Sequence, residues 1–373
     1  MPKKPIAKNT QRRKALKTLG AGAVGAVGVA CASALPLPAY AKGIRTLKLV
    51  TTWPKNLPGI GNTPEIIAKN IEDMSDGQLR IKVFAAGELV PAFEAFDAVA
   101  TGTAEMYHGA EYYWQGKSAA FNFFTTVPFG MLPQELAAWI HFGGGQELWE
   151  ELSAKFNIRP FLAGNTGLQM GGWFNREINS VDDFRGLKMR MPGLGGEVIR
   201  RLGAVAVALP GGEIFPAMKS GAIDASEWNG PWNDTVFGFH QVAEYYYCPG
   251  FHEPGAGLSL GVNQDVYNDL TTAQKTMIRV AAHAENDRTL AAYNYENARS
   301  YQTLIHKHKV KIRTYPDDVV LALREKSQDV LAEVAAKDEL TTKIYKSFKA
   351  FQDISLQWRS SADDIYNQWR IKT

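Results

Sequence analysis

Downstream of residue 41, short apolar and β-branched runs alternate with helical periods, and this alternation restricts the fold more than any other feature of the chain. It is the signature of α/β units built on largely parallel sheets. Strands are predicted at Leu47–Trp53, Leu79–Phe84, Ala104–His108, Pro160–Ala163, Leu168–Phe174, Leu187–Met191, Val205–Leu209, Ile223–Trp228 and Leu258–Val262. Helices fill most of the gaps. The strongest helix signal is Thr271-x-x-Gln274, a capping box followed by apolar residues at helical spacing through about His306. Such a helix of roughly 35 residues is about 50 Å long, enough to run behind two domains as a shared backbone.

The first 41 residues follow a different logic. Lys3, Lys4, Lys8, Arg12, Arg13, Lys14 and Lys17 lead into an apolar, Gly- and Ala-rich stretch from about Ala15 to Ala34, which ends at Pro36, Pro38 and the small-x-small triplet Ala39-Tyr40-Ala41. That order describes an export signal cleaved after Ala41. Arg12-Arg13, with Leu16 and Lys17 close behind, fits the twin-arginine type, which exports folded proteins. The prolines and glycines argue against a membrane-spanning anchor, and Gly28 stands where lipidation of Cys31 would want a branched apolar residue. The expected location is the periplasm, as a soluble protein.

Removing the leader changes the charge balance. It holds seven of the 41 Lys and Arg and none of the 38 Asp and Glu, so the remainder carries 34 against 38, a net −4. A mildly acidic, mixed surface offers no footprint for nucleic acid. The remaining 332 residues exceed what one core usually serves, which predicts two domains. Cys248 alone remains, so no intramolecular disulfide can form.

A weak internal echo supports two similar lobes: Gly87-Glu88-Leu89-Val90-Pro91-Ala92 resembles Gly212-Glu213-Ile214-Phe215-Pro216-Ala217. In each copy a helix, a glycine (Gly102, Gly221) and a short strand follow, ending at Tyr107-His108 and at Glu227-Trp228. Open α/β sheets bind ligands at the carboxyl ends of their strands, so these pairs are expected to face a common cleft. Catalytic signatures are missing: there is no Gly-x-Ser-x-Gly, no His-Glu-x-x-His and no Cys-x-x-Cys. Gly143-Gly144-Gly145 and Gly193-Leu194-Gly195-Gly196 lack the spacing of phosphate or dinucleotide loops and are expected to be turns beside helices. His252-Glu253, after Pro249-Gly250, falls where the chain returns between lobes.

The segments Gly167-Leu168-Gln169-Met170-Gly171-Gly172-Trp173-Phe174, Asp182-Asp183-Phe184-Arg185-Gly186-Leu187-Lys188-Met189-Arg190 and Gly221-Ala222-Ile223-Asp224-Ala225-Ser226-Glu227-Trp228-Asn229-Gly230-Pro231 resemble the solute receptors of tripartite ATP-independent periplasmic (TRAP) transporters. The chain looks closest to the α-keto acid-binding receptors. The similarity extends to Thr51-Thr52-Trp53-Pro54-Lys55 and Tyr112-Tyr113-Trp114-Gln115-Gly116-Lys117. The resemblance implies a two-lobed periplasmic binding protein fold with crossing strands and a long helix spanning both lobes. It also implies that Arg190 holds a substrate carboxylate, and that Gln169, Glu227 and the Trp228 carbonyl bind a cation, sodium or alternatively calcium, bridging to the substrate. A permanently charged, planar guanidinium suits bidentate carboxylate binding. Tyr107, His108, Tyr113 and Glu253 complete the candidate substrate contacts.

The expected function is therefore not enzymatic: an exported receptor passes a small 2-oxo or 2-hydroxy monocarboxylate to TRAP membrane subunits. Two alternatives remain open from sequence, a metal-dependent lyase or hydrolase acting on keto acids with Glu227 as base, and the receptor of an ATP-driven sugar or peptide importer. The expected organisation is a leader at 1–41, one lobe from 44–165 with about 256–290, a second from 166–255 with about 300–340, and a C-terminal helical segment at 341–373. That segment carries exposed-looking aromatics, Tyr345, Phe348, Phe351, Trp358, Tyr366 and Trp369, and with them an expectation of a homodimer.

Overall fold

The computed structural model describes residues 43–372; the predicted export signal and its cleavage site lie outside the described residues. The strands are β1 (Arg45–Thr51), β2 (Leu79–Phe84), β3 (Met106–Gly109), β4 (Ile158–Asn165), β5 (Gly172–Phe174), β6 (Lys188–Arg190), β7 (Val205–Val207), β8 (Ala225–Ser226), β9 (Tyr245–Cys248), β10 (Gly257–Asn263) and β11 (Lys311–Thr314). They form a sheet of order β2-β1-β3-β10-β4 and another of order β11-β9-β5-β8-β6-β7. The expectation of largely parallel sheets needs correction, because both are mixed. β10 runs antiparallel to β3 and β4, and β5 runs antiparallel to β8 and β9. These are the strands that flank two crossings between the sheets, at 166–171 and 249–256, where chain direction reverses.

Two strands escaped the sequence pattern. β9 is Tyr-Tyr-Tyr-Cys, without alternation, and β11 is Lys-Ile-Arg-Thr at a sheet edge, where short and charged strands are the rule. Of the predicted strand Leu168–Phe174, only the last three residues join a ladder. Residues 168–171 instead belong to the first crossing, with Gly171 N–H donating to Tyr247 O at 2.7 Å.

The long helix runs Thr272–His306, 35 residues, and its capping box closes as the sequence implies: Gln274 N donates to Thr271 Oγ1 at 3.2 Å and Thr271 N to Gln274 Oε1 at 3.0 Å. Its buried side chains meet material from both sheets. Ile60, in the segment after β1, donates its N–H to the Tyr293 hydroxyl at 3.4 Å, and that hydroxyl also bonds Asn233, just beyond β8. At the C-terminus, the helix Glu339–Ser361 buries Phe348 against Phe123 and Trp139, at ring distances of 5.4 and 5.3 Å. Phe348 is therefore a core residue and not an exposed one.

The core around the first sheet contains one ionisable surprise. Glu111 is fully buried, and its carboxyl accepts from the Tyr107 hydroxyl at 2.6 Å and from Trp149 Nε1 at 2.6 Å. Burial pushes its pKa up to about 7, against the opposing pull of those donors. Because the folded-state pKa lies above the unfolded value, the protonated carboxyl favours the fold at low pH, and that contribution is lost as pH rises from about 4.5 through 7. Replacing Glu111 with Gln removes this titration. Relative to the wild type, Glu111→Gln should gain on the order of 2 kcal/mol in unfolding free energy between pH 5 and pH 8, measured by urea denaturation at both values.

Candidate functional site

Arg190 ends β6 and Glu227 follows β8, so the parallel register that pairs Arg190 with Ser226 sets the two side chains at one sheet end. Both are completely buried and form a direct ion pair through Arg190 Nη1 and Glu227 Oε1. The guanidinium is further held by Nε donating to Leu209 O at 3.1 Å, and it lies 5.0 Å from the centre of the Trp228 ring. Burial works against its charge, yet the Glu227 carboxylate beside it keeps its pKa above the ordinary arginine value. Tyr113, from the segment after β3, reaches across from the other sheet, its hydroxyl 3.4 Å from Arg190 Nη2.

The two crossings deliver the remaining groups. Gly250 N donates to Gln169 O at 3.0 Å, and Gln169 N to Glu253 O at 3.3 Å, so the crossings are tied backbone to backbone. A Cβ on Gly250 would come within 2.5 Å of Gln169 O, so only glycine permits this approach. Gln169 Nε2 consequently donates to Glu253 Oε2 at 2.7 Å and to Thr166 Oγ1 at 2.8 Å, while its Oε1 is buried without a partner. His252 Nε2 sits 3.3 Å from Glu227 Oε2, and its Nδ1 is likewise buried and unpartnered. One ligand atom from each of Glu227, His252 and Glu253 lies within 4.8 Å of the others. Burial, then the Glu227 charge, raises the Glu253 pKa well above the carboxylate range.

Arg190, Gln169, Glu227, Trp228, Tyr113 and Glu253 are therefore brought together. Tyr107 and His108 are not. Tyr107 points into the core toward Glu111. His108 accepts from Trp53 Nε1 at Nδ1, 2.8 Å, which leaves Nε2 protonated and donating to Ala163 O at 3.2 Å. Both ring nitrogens are thus committed. Reasoning from sequence passed over Tyr112, which faces the cluster with its hydroxyl raised well above its ordinary pKa by burial and then by Glu253, and left His252 between a structural role and a ligand contact, outside the candidate site residues. The motif His252-Glu253 after Pro249-Gly250 was the available signal for His252; Tyr112 had only its adjacency to Tyr113.

Residues 49–338 match the family described as bacterial extracellular solute-binding protein, family 7. The chain belongs to that family. It comprises TRAP solute receptors, not enzymes and not receptors of ATP-driven importers, which removes both alternatives left open by sequence. A monocarboxylate 2-oxoacid-binding periplasmic protein of Nostoc sp. is 42% identical over 311 residues, covering 83% of this chain and 85% of the relative. The receptor fold is also shared with a TRAP periplasmic solute-binding protein of Pseudoalteromonas atlantica, solved with bound sodium and pyruvate (41% identity, TM-score 0.85, covering 88% of this chain and 99% of that one). A Bordetella bronchiseptica TRAP receptor (36% identity, TM-score 0.86, covering 88% and 98%) was solved as a dimer with calcium and picolinate in one site and the other apo. No helix among the described residues of this receptor is long and apolar enough to cross a membrane.

The donor set suits a hard cation. Gln169 Oε1 is an unpartnered amide oxygen beside two buried carboxyl groups, and oxygen ligands of this kind favour sodium or calcium over zinc. His108 has a structural part in this receptor. Burial lowers its pKa to about 4, so its ring resonances should not titrate between pH 5 and 8 in an NMR series. His108→Ala should destabilise by about 1–3 kcal/mol, because the buried Trp53 N–H loses its acceptor, read as a lower midpoint in chemical denaturation.

Proposed function

We propose that this receptor captures a small 2-oxo, or 2-hydroxy, monocarboxylate together with a bridging cation outside the cytoplasm and delivers it to TRAP membrane subunits. The observation that carries this reading is the buried Arg190–Glu227 pair standing beside the unpartnered Gln169 Oε1. Arg190 binds the substrate carboxylate, and Gln169, Glu227 and the Trp228 carbonyl hold the cation, with Glu253 and Tyr113 closing around them. Ligand and cation enter as a unit. The incoming carboxylate replaces Glu227 at Arg190, and the cation replaces Arg190 at Glu227, so no buried charge is left alone. With Glu253 held neutral, Glu227 and a monocarboxylate supply two negative charges against Arg190 and one monovalent ion, which favours sodium; calcium would balance if Glu253 were ionised. The sodium and pyruvate in the Pseudoalteromonas relative support that choice.

Calorimetry with pyruvate in sodium-free, chelator-treated buffer should show little binding, with affinity restored by sodium. Restoration by calcium alone would reassign the ion, and full affinity with neither would remove the bridging cation. Arg190→Ala in the same titration should lose about 2–5 kcal/mol of binding free energy, enough to make a micromolar affinity unmeasurable.

The sheet composition supports lobes made of 44–165 with about 256–290 and of 166–255 with about 300–340; the C-terminal helical segment at 341–373 packs through Phe348 on Phe123 and Trp139 of the first. The leader supports twin-arginine export to the periplasm. The last two helices, Glu339–Ser361 and Asp363–Ile371, leave Ile354, Trp358, Tyr366 and Trp369 between 65% and 69% exposed. An apolar row of this kind fits a second copy of the chain, as does the dimer described for the Bordetella bronchiseptica relative. Sedimentation at micromolar concentration should give a dimer, and Trp358→Asp with Trp369→Asp should give a folded monomer.

A further inference from the structure

Asp234 stands in the helix Pro231–Phe237, just beyond Trp228, and is buried. Neutral donors meet both of its carboxylate oxygens. Oδ2 accepts from Trp173 Nε1 at 2.9 Å and from the Tyr246 hydroxyl at 2.6 Å, and Oδ1 accepts from the backbone N–H groups of Asn229 at 3.3 Å and Gly230 at 3.2 Å. Burial raises its pKa to about 6 against the pull of those donors, so the group is ionised at pH 8.

The two oxygens face different parts of the fold. Trp173 and Tyr246 are partners across β5 and β9 with their rings stacked at 4.0 Å, so Oδ2 rests on the sheet that carries Arg190. Oδ1 holds the peptide that joins Trp228 to Asn229. In a planar trans peptide the N–H and C=O point in opposite directions, so an Asn229 N–H fixed on Asp234 turns the Trp228 carbonyl away from Asp234. The same bond polarises the peptide, because an anionic acceptor on the N–H draws negative charge onto the carbonyl oxygen. Asn233, next in the chain to Asp234, donates Nδ2 to Pro58 O at 2.9 Å and ties this loop to the segment after β1 as well.

We infer that Asp234 is a positioning residue for the cation: it aims the Trp228 carbonyl at the ion and sets how tightly the ion is held, without touching ion or substrate. The inference rests on the reading that the Trp228 carbonyl is a cation ligand. A carbonyl that is free to turn, or that carries less negative charge, is a poorer ligand for a hard ion. Outer groups that orient a ligand in this way typically contribute about 10- to 100-fold in metal affinity. Arg190 holds the substrate carboxylate independently of this peptide, so the loss falls on the ion and is recovered when the ion saturates.

Pyruvate titrations by calorimetry at pH 8, across a series of concentrations of the supporting ion, sodium or calcium, test this on the wild-type receptor and two variants. Asp234→Asn keeps the side-chain shape and removes the charge. It should need about tenfold more of the ion to reach half-maximal pyruvate affinity, and its affinity should approach the wild-type value at saturating ion. Ile278→Ala is the control for stability alone, since it opens a cavity in the apolar core packed on the first sheet; it should lower the denaturation midpoint and leave the ion requirement unchanged. A readout on the unaltered protein does not depend on how the variants fold. The Asn229 amide proton should move downfield in NMR when the ion and pyruvate are added together, and further than that of Gly230, whose peptide carbonyl belongs to Asn229. An unchanged ion requirement in Asp234→Asn, equal increases in both variants, or an unmoved Asn229 amide would overturn the role of Asp234 and leave the bridging cation intact. A wild type that binds pyruvate with neither ion, or does not bind it at all, would instead remove the bridging-cation reading, and the inference with it.

Discussion

Neither Arg190 nor Glu227 could stay where it is without the other. An isolated charge with no exposure to solvent is costly enough that the fold would rearrange or the group would neutralise, and arginine cannot lose its proton under ordinary conditions. The pair therefore demands both β6 and β8 in register, and it demands a polar lining on the facing side, which Tyr113 and the two crossings supply. Glu253, buried beside Glu227, is driven toward its neutral form for the same reason. On the proposed reading, such a site opens to a ligand that brings its own anion together with a cation that replaces the guanidinium at Glu227.

The crossings turn that electrostatic demand into a specific geometry. Gln169 and Glu253 are separated by 84 residues, yet their side chains are 2.7 Å apart because the crossings share backbone hydrogen bonds and a glycine that admits close approach. Gly195 has a similar function, since a Cβ there would meet His252 Cβ at 2.6 Å. Small residues at these contacts let two backbones and a helix N-terminus converge on one point. The long helix packs against material from both sheets, so the crossings do not hang as free linkers.

The cleft is divided by chemistry as well as by space. Its inner part holds charge and unpartnered oxygen, its outer part holds proline, glycine and Phe93, and three aromatic rings stand between. The echo between residues 87–92 and 212–217 acquires a physical meaning in this setting. Each copy leads through a glycine with positive φ, Gly102 at 83° and Gly221 at 73°, into a strand that ends at the cleft, and each also lines the outer cavity from its own side.

Sequence alone determined what depends on local period and on motif: the α/β class, nine of the eleven strands among the described residues, the capped helix to His306 and the family whose motifs carry Arg190, Gln169 and Glu227. Hydrophobic alternation and capping chemistry act over a few residues, so they are written in order along the chain. Only the tertiary structure decided which candidates share a site. Tyr107 and His108 are adjacent on one strand, and their side chains are consumed separately, one by Glu111 and the other by Trp53 and Ala163. Tyr112 joined the cluster with little signal from sequence and His252 with only the His252-Glu253 motif, while Phe348 went into the core and Trp358 stayed outside. Those outcomes depend on contacts between residues distant in sequence, which side-chain type and spacing do not encode.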